Sequence, residues 1–105
     1  MKALIRNLVH KIAQHVHPDK VILFGSQAWG GADKGSDVDL LVIMPSVERP
    51  AKRSMMIKRA LSSVKAPLDI LVRTPLEIEE RLALKDPFMT RILEQGKVLY
   101  DAQAR

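Results

Sequence analysis

The chain has 105 residues, of which 47% are hydrophobic and 28% charged, and its formal net charge is +5. This balance is typical of a globular protein, and the length predicts one domain over residues 1–105. The absence of cysteine excludes disulfides and zinc–thiolate sites and favours a cytoplasmic location. Aromatic residues make up only 4% of the chain, which disfavours direct nucleic-acid binding through stacked bases. No stretch has the length of a membrane span, so no membrane partner is expected.

The first half of the sequence predicts a helix, a strand, a turn and a second strand. Hydrophobic residues at helical spacing indicate an amphipathic helix over residues 2–16. An apolar strand over residues 20–24 stops at Gly25, and a short helical turn beginning at Ser26 leads into a glycine-rich loop. A second strand is predicted over residues 37–44. Both of its faces become apolar after its first few residues, which predicts a central strand covered on both sides.

The second half predicts three helices and two strands. Pro50 opens the first of these helices, because proline is favoured at the first helical position. The residues available for its buried face are Met55, Met56, Ala60 and Leu61. The sequence Thr74-Pro75-Leu76-Glu77 combines a capping box with a proline at the first helical position. The predicted elements are helix 50–64, strand 67–72, helix 75–84, helix 87–95 and strand 97–100.

This order of elements predicts an α/β (α+β) fold with a small mixed sheet flanked by helices. The helix between the second and third strands is long enough to be a crossover, so these strands should be parallel neighbours. The first two strands should form an antiparallel hairpin with a long loop. These pairings would bring Asp37 and Asp39 of the second strand, Asp69 of the third strand and the Gly25-Ser26 turn to one edge of the sheet.

Three aspartates at one sheet edge indicate a metal-dependent site. Asp37, Asp39 and Asp69 cannot all stay ionised near one another without a counter-charge, and Mg²⁺ is often held by carboxylates together with substrate phosphates. Two such ions can clamp the attacking and leaving oxygens of an in-line phosphoryl transfer. Gly25 allows a phosphate to approach the backbone closely, and Ser26 offers a hydroxyl. These residues predict a site for two Mg²⁺ ions and a nucleoside triphosphate.

The arrangement resembles the nucleotidyltransferase superfamily related to polymerase β. The signature of that superfamily is Gly-Ser, a spacer, Asp-x-Asp on a strand and a later acidic residue. It is matched here by Gly25-Ser26, Asp37-Val38-Asp39 and Asp69. The sequences of residues 23–30 and 36–42 are similar to those of the minimal nucleotidyltransferases, or MNT proteins, of bacteria and archaea. This resemblance extends over nearly the whole chain and implies a polymerase β-like fold.

The resemblance also implies an activity and a partner. Members of the superfamily transfer a nucleoside monophosphate from a nucleoside triphosphate to a hydroxyl and release pyrophosphate. MNT proteins often pair with a HEPN-domain ribonuclease as a toxin–antitoxin system, and some adenylylate a tyrosine of that partner. The chain is therefore expected to transfer AMP from ATP to a HEPN partner. The implied catalytic and metal-binding residues are Asp37, Asp39 and Asp69, and the implied phosphate-binding residues are Gly25, Ser26, Lys34 and Ser36.

The chain departs from the family pattern beside the Gly-Ser turn. Many members carry arginine at the position of Gln27 or Trp29 and use it to hold phosphate. Here Lys34, or a cation supplied by a partner, would take that role. Trp29 itself fits equally well a residue that stacks on a base and a hydrophobic plug beneath the turn.

Two further signals leave alternatives open. The cluster of basic residues fits equally well a solvated helix face and a binding patch for phosphates or an acidic partner. It comprises Arg49, Lys52, Arg53, Lys58, Arg59 and Lys65. The histidines are His10, His15 and His17, and they lack the i, i+4 spacing of a helical metal site.

A second function competes with catalysis. The chain is too short to hold a separate substrate-binding domain, so the acceptor must come from a partner, and contact with that partner could be the whole function. The alternative is therefore a non-catalytic antitoxin that neutralises a HEPN ribonuclease by binding it. Nucleotidylation of a small molecule ranks below both, because the sequence indicates no acceptor pocket.

Overall fold

The computed structural model describes residues 2–30 and 37–104. All of the predicted glycine-rich loop after Gly30, including Lys34, lies outside these ranges, and so does Ser36. No helix in the described ranges is long and apolar enough to cross a membrane. The elements are α1 (Lys2–Val16), β1 (Lys20–Phe24), α2 (Ser26–Trp29), β2 (Val38–Ile43), α3 (Pro50–Ala60), β3 (Leu68–Arg73), α4 (Pro75–Ala83), α5 (Pro87–Gln95) and β4 (Lys97–Asp101).

The strands form a four-stranded mixed sheet in the order β3-β2-β1-β4. β2 pairs with β3 in parallel, and β1 pairs antiparallel with both β2 and β4. α3 is therefore the crossover between the two parallel strands, as the sequence predicted. The α/β fold with a small mixed sheet flanked by helices is confirmed.

Helices cover both faces of the sheet. On one face, Leu8 and Ile12 of α1 and Ile57 of α3 pack against the strands. On the other face, Ile78 of α4 and Ile92 of α5 do the same. The side chains of β2 alternate between these two cores, so its interior is buried from both sides. This confirms that β2 is a covered central strand.

The crossover helix α3 is shorter than predicted, and its buried face differs. It ends at Ala60 instead of residue 64. The chain continues in tight turns in which the N–H groups of Ser62 and Val64 bond three residues back. Serine is a poor helix former, and residues approaching a proline are biased away from helical geometry. The prediction that Met55 and Met56 are buried was wrong, because these side chains are 47% and 50% exposed.

The boundaries of two strands also differ from the prediction. β2 begins at Val38, which leaves Asp37 immediately ahead of the strand, and β3 covers Leu68–Arg73 instead of residues 67–72. Pro67 cannot donate a backbone hydrogen bond, although its carbonyl accepts one from the N–H of Val38. The parallel ladder therefore starts one residue later than predicted on both strands.

Arg53 of α3 is a buried cation that ties the crossover to the sheet. Its side chain is 8% exposed. Nη1 lies 2.6 Å from Oε1 of Glu77, and Nη2 lies 3.3 Å from Oε2. The guanidinium also donates to the carbonyl oxygens of Glu48 at 2.7 Å and Val72 at 3.2 Å. A buried charge of this kind is tolerated because every part of it is hydrogen-bonded.

Glu77 serves two elements at once. Its Oε1 accepts the N–H of Thr74 at 2.8 Å, and the Thr74 hydroxyl accepts the N–H of Glu77, so the predicted capping box is present. The hydrogen bonds from Arg53 hold the pKa of Glu77 below its ordinary value of 4.5, against the opposing effect of burial. One carboxylate thus caps α4 and neutralises Arg53 of α3.

This pair predicts how stability depends on pH. Because the pKa of Glu77 is lower in the folded than in the unfolded chain, its contribution is complete above the ordinary value of 4.5 and is lost as pH falls through the folded pKa. Glu77→Gln should lower the free energy of unfolding at pH 7 by about 1–3 kcal/mol, because Arg53 loses its counter-charge. It should also flatten the dependence on pH below about 4.5.

The measurement is urea unfolding at a series of pH values. Glu79→Gln is the matched control, because Glu79 lies exposed on the same helix. Equal losses in the two variants would contradict a special role for the Arg53–Glu77 pair.

Candidate active site

The strand pairings bring the predicted site residues together. In the parallel ladder Asp39 of β2 lies beside Asp69 of β3, and in the antiparallel ladder it lies beside Phe24 of β1. Gly25 follows Phe24 directly. Across the sheet the order is therefore Gly25, Asp39 and Asp69, with Asp37 just ahead of β2. Asp37 and Asp69 are exposed, whereas Asp39 is half-buried.

These aspartates share one face of the sheet. Side chains two residues apart on a strand point to the same face of the sheet. Asp39 therefore shares a face with Leu41 on β2, and Asp69 shares a face with Leu71 on β3. Leu41 and Leu71 belong to the core beneath α4 and α5. The carboxylates therefore lie on the face covered by α4 and α5, at the end of the sheet where β2 and β3 begin.

The surroundings of Asp39 disfavour the ionised form of its carboxyl group. Burial raises its pKa above the ordinary value of 3.8, and the carboxylates of Asp69 and Asp37 raise it further. Asp69 and Asp37 thus act on Asp39 as like charges, as expected for residues at one sheet edge. A cation placed among them would reverse this effect.

The carboxylates fit a hard cation in chemistry, although they do not form a closed cage. In the described part of the chain, no group of three His, Cys, Asp or Glu side chains is arranged to enclose a metal ion. Mg²⁺ does not need such a cage, because it usually keeps several waters and takes one or two carboxylates together with substrate phosphates. The carboxylate oxygens of the three aspartates, whose negative charges repel one another at Asp39, suit that mode of binding.

Both the backbone conformation and the lack of room for a side chain require glycine at position 25. Its φ is +74°, a region that residues with a Cβ rarely adopt. A Cβ at this position would overlap Oδ2 of Asp39 and come within 3.0 Å of its Cγ. The Gly25 backbone therefore lies directly against the Asp39 carboxylate.

The chain turns sharply after Gly25. The Gly25 carbonyl accepts hydrogen bonds from the N–H groups of Ala28 at 3.0 Å and Trp29 at 2.9 Å. α2 therefore begins at once after β1, and its first residue, the partly buried Ser26, directly follows Gly25. Of the predicted phosphate-binding residues, Gly25 lies against Asp39 and Ser26 follows it in the chain, whereas Lys34 and Ser36 lie outside the described residues.

A cationic and aromatic cluster beside this turn was missed by sequence reasoning. The guanidinium carbon of Arg91, on α5, lies 3.7 Å from the centroid of the Trp29 ring. Phe24 contacts Trp29 at 6.5 Å between ring centroids and meets Phe88 edge-on at 5.7 Å. The Trp29 Nε1 atom is buried, with no hydrogen-bond partner in the described ranges. No short motif links residues 29 and 91, so only the packing of α5 shows this contact.

Two grooves flank the sheet. One, of about 480 Å³, lies between α1 and β4, and its lining includes Val9, Leu99 and Gln27 but none of the predicted carboxylates. The other, of about 610 Å³, lies between α3 and β3 and includes Asp69. Both volumes are in the range of ligand sites, about 300–1,000 Å³. The second groove is therefore the one that adjoins the candidate active site.

Comparison with known proteins gives the family. The profile of the nucleotidyltransferase domain family matches residues 5–100. The chain belongs to this family. No curated protein matches this nucleotidyltransferase domain.

Solved structures share the fold of this nucleotidyltransferase domain. A proposed nucleotidyltransferase from Sulfolobus solfataricus superposes with a TM-score of 0.68 at 19% identity, covering 99% of this chain and 83% of that one. A toxin–antitoxin structure with AMP-PNP superposes with a TM-score of 0.55 at 21% identity, covering 93% of this chain and 74% of the other. At these identities the likeness concerns the fold alone.

The contact between Gly25 and Asp39 predicts different costs for two alanine substitutions in this nucleotidyltransferase domain. Gly25 and Gly30 both have positive φ, but a Cβ at Gly30 would have no atom of another described residue within 4 Å. Gly30→Ala should therefore cost only backbone strain, about 1–3 kcal/mol. Gly25→Ala should cost more, because it adds the collision with the Asp39 side chain.

The free energies of unfolding of both variants should be measured in the wild-type and Asp39→Ala backgrounds. Truncating Asp39 should reduce the penalty of Gly25→Ala and leave that of Gly30→Ala unchanged. A Gly25→Ala penalty that does not change with Asp39→Ala would show that the two residues are not in contact.

The raised pKa of Asp39 predicts that its neutralisation stabilises the metal-free protein. Since the folded pKa lies above the ordinary value of 3.8, the ionised carboxylate costs folding free energy once pH exceeds that value. Asp39→Asn should raise the melting temperature at pH 7 in EDTA, and added NaCl should narrow the difference. Asp19→Asn, at an exposed aspartate, should have little effect. A lower melting temperature for Asp39→Asn would oppose this assignment.

Proposed function

We propose that the chain is a Mg²⁺-dependent nucleotidyltransferase that transfers AMP from ATP to a hydroxyl group. The proposed acceptor is a tyrosine of a HEPN-domain toxin, so that the chain acts as an antitoxin. The observation that carries the proposal is that Asp39 lies beside Asp69 on β3 and against Gly25, which follows β1, within a nucleotidyltransferase domain. A toxin–antitoxin structure with AMP-PNP, which shares this fold, supports ATP as the nucleotide and a toxin as the partner.

In this proposal the acceptor oxygen forms a bond to the α-phosphorus of ATP. The bond from that phosphorus to the oxygen bridging the β-phosphate breaks, and pyrophosphate leaves with the electron pair. The hydroxyl proton passes to the carboxylate of Asp69, the exposed member of the set on the outer strand. Mg²⁺, when bound by Asp37, Asp39 and Asp69, supplies positive charge to the phosphate oxygens and relieves the repulsion at Asp39.

Two groups are proposed to hold the triphosphate on the other side of Asp39. The Ser26 hydroxyl, next to Gly25, donates a hydrogen bond to a phosphate oxygen. Arg91 supplies a cation, because its guanidinium lies over Trp29, three residues beyond Ser26. Among the described residues, its side chain hydrogen-bonds to Gln95 at 3.1 Å and forms no ion pair. Its charge is therefore available to a phosphate, which is the role that many relatives give to an arginine on the turn itself.

The test is transfer of labelled AMP to the product of the neighbouring gene, with purified proteins and Mg²⁺. Wild-type protein should label that partner and release pyrophosphate, and Asp39→Asn should abolish labelling while the fold persists. Ser26→Ala should weaken the use of ATP about ten- to a hundredfold, because a hydrogen bond to a charged group is worth about 1.5–3 kcal/mol. Arg91→Met should weaken it similarly, with Arg81→Met on α4 as the control.

The same variants separate catalysis from contact. If the antitoxin acts by contact alone, Asp39→Asn should still protect cells that express the partner toxin. Loss of protection together with loss of labelling supports the enzyme. Labelling by Asp39→Asn at the wild-type rate would refute the proposed mechanism.

A further inference from the structure

The basic residues of α3 have different roles in the structure. Arg53 is buried against Glu77, and Lys52 pairs with Glu48 at 3.1 Å. Lys58 and Arg59 are exposed, and neither forms an ion pair with a described residue. α3 contains no acidic residue that could neutralise them. The helix therefore has one structural cation, one paired cation and two unpaired cations near its C-terminal end.

The two unpaired cations line the groove that contains Asp69. This groove, of about 610 Å³, lies between α3 and β3, and Lys58, Arg59 and Met55 form its helical wall. Asp69, Ile70 and Leu71 form its strand wall. A molecule bound there would contact the cations of α3 and would reach Asp69 at the edge strand β3.

The order of strands places this groove on the acceptor side. Gly25 and Ser26 follow β1 on one side of Asp39, and Asp69 lies on the other side, on the edge strand β3. A triphosphate held at the Gly25-Ser26 turn leaves the Asp69 side open for the hydroxyl that attacks it. The groove therefore begins where an in-line acceptor must approach.

We propose that the groove between α3 and β3 binds an acidic polypeptide segment that carries the acceptor hydroxyl, with Lys58 and Arg59 selecting its negative charge. This inference rests on the proposed transfer reaction and adds the chemistry of the acceptor. Carboxylates of the segment pair with Lys58 and Arg59, while its apolar side chains contact Met55, which is 47% exposed.

Two features of the groove favour a polypeptide held by its side chains. None of the lining residues is aromatic, so the groove has no surface on which the bases of a single-stranded nucleic acid could stack. The outer edge of β3 is also partly closed to an added strand, because the Ser54 hydroxyl donates to the Ile70 carbonyl at 2.8 Å. Recognition must therefore depend on side-chain charge and apolar contact.

The test uses two synthetic tyrosine acceptors of opposite charge. These are a random copolymer of glutamate and tyrosine and a random copolymer of lysine and tyrosine. Both binding, by fluorescence anisotropy, and transfer of labelled AMP from ATP are measured. Wild-type protein should prefer the acidic copolymer by about tenfold or more in both assays, because two cation–carboxylate pairs replace two like-charge contacts.

Charge reversal supplies the decisive variant. Lys58→Glu/Arg59→Glu should invert the preference, so that the basic copolymer is bound and labelled better. Arg81→Glu/Lys85→Glu makes the same change in net charge at exposed residues in and after α4, on the other face of the sheet, and should leave the preference unchanged. If the reversed variant is unfolded by its melting curve, Lys58→Gln/Arg59→Gln should abolish the preference.

The affinity for AMP-PNP with Mg²⁺ serves as an independent measurement and should be unchanged in every groove variant. If the acidic copolymer is bound selectively but is never labelled, the result would support the proposed acidic-segment site and count against the transfer reaction. Labelling of both copolymers at equal rates would support the transfer reaction and overturn the groove. Three other results would also overturn the proposed acidic-segment site. They are no binding of the acidic copolymer, selective binding of single-stranded RNA instead, and a preference for the acidic copolymer that survives charge reversal.

Discussion

The parallel register of β2 and β3 is the constraint on which the site depends. It sets Asp39 beside Asp69, and the antiparallel pairing with β1 adds Gly25 on the other side. A slip of one residue would turn Asp39 or Asp69 into the core on the opposite face. Such a slip is strongly opposed, because the buried side chains of β2 would exchange faces at the same time. The hydrophobic cores thus fix the relative positions of carboxylates that repel one another.

The Arg53–Glu77 interaction and the candidate active site lie at opposite ends of the parallel strands. Near the end of β3, Arg53 joins the Val72 carbonyl to Glu77, whose carboxylate also caps α4. Near the beginning, Asp39 is held against two like charges, and Gly25 adopts a positive φ. A rigid far end allows an unfavourable arrangement at the near end to persist, which is a common property of functional sites.

Local patterns in the sequence predicted most of the fold, because the ends of several helices are marked by characteristic residues. The capping box at Thr74, the proline at position 87 and the glycine at position 96 mark helix ends that the structure confirms. The convergence of Asp39 and Asp69 followed from the crossover rule. The roles of Arg53 and Arg91 did not follow, because a buried ion pair and a cation over a ring depend on helix packing that has no local signal. The exposure of Met55 likewise depends on how α3 is rotated against the sheet.

The placement of cations explains how one small domain could bring two anionic substrates together. A triphosphate and an acidic acceptor repel each other, and both are repelled by the aspartates between them. In the structure Arg91 lies beside the Gly25-Ser26 turn, whereas Lys58 and Arg59 line the groove at Asp69. Positive charge is therefore present on both sides of the carboxylates. In the proposed reaction, Arg91 would face the triphosphate, and Lys58 and Arg59 would face the acidic acceptor.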